Sequence, residues 1–180
     1  MQESDHQKFT DPLTGLGNRR MFNRVLADIF KTENTIADFA VLVVDLDPAG
    51  RLISREVAAN AAKVLRSALP SKARLCRFDG LRFGILYLEA DTETVRNVGQ
   101  HAHKALMHYS SGISAVHRGA MAPPSVGICM LSRATDAFDL VSLAERVMRE
   151  GQQTGTDVSF YTPSGFHGQA RNLSLYGKQR

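Results

Sequence analysis

The chain has 180 residues, a net charge of +4, 43% hydrophobic residues and 22% charged ones, which is enough for one folded domain with a substantial core. Lys and Arg are spread along the sequence and Trp is absent, so the clustered charge and stacking aromatics of a nucleic-acid binder are missing. No apolar run approaches the length of a membrane span, and the polar start Met1-Gln2-Glu3-Ser4-Asp5-His6 has no signal-peptide core. The expected location is the cytoplasm.

Residues 1–10 read as a polar lead-in and Leu13-Thr14-Gly15-Leu16-Gly17 as a turn. Asn18 is placed to cap a helix from Arg19 to about Lys31, with Met21, Phe22, Val25, Leu26 and Ile29 at helical spacing. Phe39 to Asp47 is a continuous apolar run ending in two acids, as in a strand buried on both faces, and Pro48 stops it. Val57, Ala61, Val64, Leu65 and Ala68 give a helix over 54–69 that Pro70 ends.

Ala73 to Phe78 and Leu81 to Leu88 read as a hairpin turning at Asp79-Gly80. Asp91 to Tyr109 is a helix, Gly112 to His117 reads as a strand, and Ala122-Pro123-Pro124 as a loop. A strand over 125–131, a helix over 137–152 and a short strand over 158–161 follow. Residues 162–180 read as a tail or linker. This alternation predicts an α/β (α+β) fold, one sheet covered by helices.

Cys76 and Cys129 lie in apolar strand-like runs and read as buried thiols, with no CxxC spacing. His101, His103 and His108 lack the i, i+4 spacing of a helical zinc pair.

Three stretches carry a family resemblance. Asp11-Pro12-Leu13-Thr14-Gly15-Leu16-Gly17-Asn18-Arg19-Arg20 resembles the opening motif of GGDEF domains, the diguanylate cyclases that join two GTP into cyclic di-GMP. Arg77-Phe78-Asp79-Gly80-Leu81-Arg82-Phe83 resembles that family's signature hairpin, Arg-Tyr-Gly-Gly-Asp/Glu-Glu-Phe. Ser125-Val126-Gly127-Ile128 resembles its Ser-x-Gly-Ile strand. The resemblance spans residues 11–161 and implies the palm-like nucleotidyl-cyclase fold, with a mostly antiparallel central sheet flanked by helices.

It also exposes what is replaced. The signature positions Asp79, Gly80, Leu81, Arg82 and Phe83 keep the frame, but Leu81 stands at the family's metal-binding acid and Arg82 at the next acid. Of the two carboxylates that phosphoryl transfer needs for Mg²⁺, Asp45 alone is retained, as a vestigial metal ligand. The base-reading positions fall on Ile53 and Ala62, a Gly-His pair on Val57-Ala58, and the triphosphate-binding positions on Gly151-Gln152 and Thr156. The Arg-x-x-Asp feedback motif falls on Pro70-Ser71-Lys72-Ala73.

The resemblance therefore implies a degenerate, non-catalytic domain with a regulatory or protein-interaction role in cyclic di-GMP signalling. Its expected partner is another protein or domain of such a pathway, or a second copy of itself. A GTP- or cyclic di-GMP-sensing domain, with Arg82 as nucleotide contact, and an active cyclase with a divergent motif are the alternatives. No cofactor is expected, and Mg²⁺ only alongside residual nucleotide binding. Asp45 and Asp47 either hold a weak cation or are solvated or salt-bridged. Arg82 either pairs with Asp45, Asp47 or Asp79 or faces solvent.

Overall fold

The computed structural model describes residues 8–31, 38–47, 54–88, 91–117, 122–133, 136–162 and 167–168. In chain order the elements are β1 (Gly17–Asn18), α1 (Arg19–Lys31), β2 (Ala40–Asp45), α2 (Arg55–Ala68), β3 (Ala73–Asp79), β4 (Arg82–Tyr87) and α3 (Thr92–His117). After these come β5 (Ser125–Met130), a 3₁₀ turn (Leu131–Arg133), α4 (Ala137–Thr154), β6 (Val158–Phe160) and β7 (His167–Gly168).

The strands form one seven-stranded sheet in the order β1-β3-β4-β2-β5-β6-β7. The four inner strands β3, β4, β2 and β5 pair antiparallel, while β1 joins β3 and β6 joins β5 in parallel. β7 adds antiparallel to β6, within the stretch that sequence reads as a tail.

β2 is the spine. Its side chains alternate between two cores, Leu42 and Val44 into one and Val41 and Val43 into the other, and all four are fully buried. The apolar run without polar alternation is thus the mark of a strand covered on both faces. On one face α2 and α3 bring Val57, Ala61, Leu65, Val95, Ala102 and Leu106 onto Leu42, Phe83 and Ile85. On the other, α1 and α4 bring Phe22, Leu26, Leu140 and Ala144 onto Val41, Val43 and Cys129. The Cys76 and Cys129 thiols are buried and free, and burial pushes them up to about 11 and about 12.

The framework motifs have structural tasks. Asp11 Oδ2 accepts from Thr14 N and Oγ1, and its Oδ1 accepts from Arg77 Nη1 at 2.8 Å. Arg77 also donates to the Gly80 carbonyl through Nε and Nη2, so one guanidinium ties the opening turn to the hairpin. Asn18 Oδ1 accepts from Met21 N as the helix cap the sequence predicts, and its amide also donates to the Lys8 carbonyl. At Gly127 a Cβ would lie 2.0 Å from the Ala144 carbonyl oxygen, so α4 rests backbone-to-backbone on β5.

Two sequence readings are corrected. Residues 112–117 are not a strand but the last turns of α3. The hydroxyls of Ser110 and Ser111 both donate to the Met107 carbonyl, and buried Ile113 stands seven residues after Leu106 on the apolar stripe. The segment resembles a strand locally, but burial of Ile113 in the α2–α3 core favours helix and offsets the cost of Gly112, roughly 1 kcal/mol. The hairpin also turns one residue later than Asp79-Gly80. Asp79 pairs with Arg82, Gly80 and Leu81 form the loop, and a bulge falls between Arg77 and Asp79. Gly80 takes φ +44°, the left-handed region open to glycine at no steric cost.

Candidate functional site

Register aligns the side chains at one end of the sheet. Asp79 is opposite Arg82, Arg82 opposite Asp45, and Asp45 opposite Ser125. Arg82 places Nε 3.3 Å and Nη2 3.1 Å from Asp45 Oδ2, while Asp45 Oδ1 accepts from the Asp47 backbone N–H at 3.0 Å. Of the open readings for Arg82, pairing is the one observed, with hydrogen bonds to Asp45 and a longer contact to Asp79. Both donors converge on one oxygen, since the other is taken by the backbone.

The row continues through further contacts. Arg82 Nη1 is 4.0 Å from Asp79 Oδ2, as is Arg19 Nη1. Arg19 Nη2 reaches Glu145 Oε1 at 2.7 Å, a contact ion pair. Ser125 Oγ accepts from Gln152 Nε2 at 2.7 Å. Sequence reading missed the parts played by Arg19, Glu145 and Gln152. No local pattern signals a pair joining α1 to α4.

The two charges at the centre respond oppositely to burial. Burial pushes the Asp45 carboxyl above its ordinary value, outweighing Arg82 and the Asp47 N–H, which pull it down. Burial also works against the Arg82 cation, but Asp45, Asp79 and Glu145 outweigh it and hold its pKa above the ordinary value. Asp45 is 4% exposed, so it depends on its partners for its charge.

The signature positions divide by direction. Leu81 is buried at 5% exposure and Phe83 fully, both in the α2–α3 core, while Asp79 and Gly80 are exposed. A carboxylate in place of Leu81 would take its direction from the turn, and here the turn delivers that side chain to apolar neighbours. Mg²⁺ takes oxygen ligands in near-octahedral geometry. Around Asp45 this chain offers a guanidinium and, at the second acid position, an aliphatic side chain, so the donor set does not fit that ion. Among the described residues no three His, Cys, Asp or Glu side chains gather as a metal-binding group.

Of the remaining candidate positions, three are turned inward. Val57, Ala58 and Ala62 are buried in the α2–α3 core and present no hydrogen-bonding side chain. Ile53 lies outside the described residues. Gln152 is used on Ser125. Gly151, Gln152 and Thr156, with Pro123 and Pro124, border a cleft of about 320 Å³. Pro70 to Ala73 form a tight turn, with Ala73 N donating to the Pro70 carbonyl at 2.9 Å.

A sequence profile described as "Diguanylate cyclase, GGDEF domain" matches residues 8–158. This chain belongs to the GGDEF domain family. It is thereby a domain of cyclic di-GMP signalling. No curated protein matches it in sequence.

Solved structures agree on the fold. The coiled coil and GGDEF domain of DgcB from Caulobacter crescentus, in complex with c-di-GMP, has a TM-score of 0.65 at 16% identity, over 88% of each chain. The diguanylate cyclase SiaD from Pseudomonas aeruginosa, in complex with its activator SiaC, has a TM-score of 0.70 at 18% identity, over 88% of this chain and 64% of that one. The S helix-GGDEF-EAL portion of Vibrio cholerae LapD, bound to c-di-GMP, has a TM-score of 0.67 at 16% identity, over 93% of this chain and 40% of that one. At these identities the likeness concerns the fold alone. Among the described residues no helix of this GGDEF domain is long and apolar enough to cross a membrane.

Proposed function

We propose that this GGDEF domain makes no cyclic di-GMP and serves as a regulatory domain that docks another protein or domain of a cyclic di-GMP pathway. The observation that carries this reading is the state of Asp45. The retained family carboxylate has one oxygen on Arg82 and the other on the Asp47 N–H, and its family counterpart is a leucine in the core. Phosphoryl transfer relies on positioned cations bridging phosphate oxygens. A carboxylate already paired with a guanidinium, with a buried leucine at the family's second acid position, has little to offer such a cation.

The framework supports the regulatory half of the reading. Asp11, Arg77, Asn18 and Gly127 keep their structural tasks, so the fold persists where the chemistry is replaced. SiaD was solved with a protein activator and the LapD portion contains a neighbouring EAL region, so domains of this fold do work beside protein partners.

The test is calorimetric titration of GTP with Mg²⁺ into the purified chain, followed by chromatography of the mixture. No heat and no cyclic di-GMP is the expected result. Product would overturn the reading. Heat without product would replace it with nucleotide sensing.

A further inference from the structure

The charge row at the sheet end supports a further step, which rests on the reading that this site performs no phosphoryl transfer. Asp45 is buried, and a buried carboxylate without a partner is costly. The cation facing it comes from its direct neighbour across the β2–β4 ladder, so the partner is fixed by register and not by a flexible loop. The same guanidinium turns Nη1 toward Asp79, spanning two carboxylates with one charge.

We propose that the Arg82 guanidinium is the resident cation of this site. It occupies the place beside the β2 carboxylate, and the sheet end is consequently independent of divalent metal. Three features argue for it. Both Nε and Nη2 approach Asp45 Oδ2 within hydrogen-bonding distance. Arginine stays charged at every accessible pH, so the cation is never lost by titration. The Arg82 side chain is only 28% exposed, so an entering ion would have to displace a partly desolvated, hydrogen-bonded group.

Thermal unfolding with MnCl₂ as the probe tests this. Wild-type Tm is expected to be insensitive to millimolar Mn²⁺. Arg82→Ala is expected to lower Tm by roughly 6–12 °C, since it strands a buried carboxylate. Mn²⁺ should then raise the Tm of Arg82→Ala in a saturable way. Adding Asp45→Asn to that variant should recover part of the lost Tm and abolish the response. Arg82→Lys keeps a cation and should remain unresponsive, which keeps the proposal testable if Arg82→Ala does not fold.

Saturable stabilisation of the wild type by Mn²⁺ that Asp45→Asn removes would overturn the proposal. So would an Arg82→Ala protein with unchanged Tm, or one whose loss Mn²⁺ does not offset. None of these readouts depends on turnover. Cyclic di-GMP from the wild type would instead refute the non-catalytic reading, so the two failures are distinguishable.

Discussion

Arg82 and Asp45 are 37 residues apart in sequence and direct partners across two antiparallel strands, with Arg82 Nη2 3.1 Å from Asp45 Oδ2. The contact gives the sheet end a sharp pH signature once it is broken. Asp45 in the folded chain already titrates above its ordinary 3.8, because burial outweighs Arg82. Removing Arg82 takes away an opposing influence and raises it further. A folded pKa above the unfolded one means the proton stabilises the fold. That contribution is complete below the unfolded value and disappears as pH rises through the folded value. Arg82→Leu should therefore cost about 2–3 kcal/mol at pH 7 and little near pH 3. Urea unfolding of both proteins at the two pH values measures it, and an equal gap at both would refute the assignment.

The Asp11–Arg77 tie predicts the opposite sign. Burial tends to raise the Asp11 carboxyl, but hydrogen bonds from Thr14 and the charge of Arg77 overcome it, and the net shift is downward. Stability from Asp11 is therefore present above the unfolded value and disappears as pH falls through the lower folded value. Asp11→Asn should cost about 1–2 kcal/mol at neutral pH. Chemical unfolding should show the wild type and this variant converging in acid.

Leu81→Asp restores the family's acid by name but not by position. Leu81 is packed in the α2–α3 core, so the substitution buries a carboxylate among apolar groups. Stability should fall by about 3 kcal/mol or more. Chromatography of the variant with GTP and Mg²⁺ should detect no cyclic di-GMP, and a catalytic Leu81→Asp would contradict the account of the hairpin.

Two glycines separate close approach from backbone freedom. Gly127→Ala forces a methyl group to within 2.0 Å of the Ala144 carbonyl oxygen, which only a shift of α4 relieves. A loss of about 3 kcal/mol or more is expected, with broadened cooperativity. Gly155 caps α4 at φ +70° with open space around it, so Gly155→Ala should cost only about 1 kcal/mol. Thermal unfolding of both variants gives the ranking.

Much of this molecule was legible in local patterns. The double-sided apolar run of β2, the Asn18 cap, the periodic stripes of α1, α2 and α4, and the hairpin all follow from short-range spacing. Each is a property of a few neighbouring residues, and burial on one or two faces imprints itself at period two or near 3.6.

Tertiary structure decided the rest. The choice of Asp45 as partner for Arg82, the convergence of two donors on one oxygen, and the bridge from Arg19 on α1 to Glu145 on α4 depend on strand register and helix packing. The hairpin's one-residue slip depends on a bulge that its composition does not reveal. The continuation of α3 through Gly112 depends on the core that Ile113 joins. Pairing energies between residues distant in sequence leave no period in the chain. They appear only when the fold brings those residues within a few ångströms of each other.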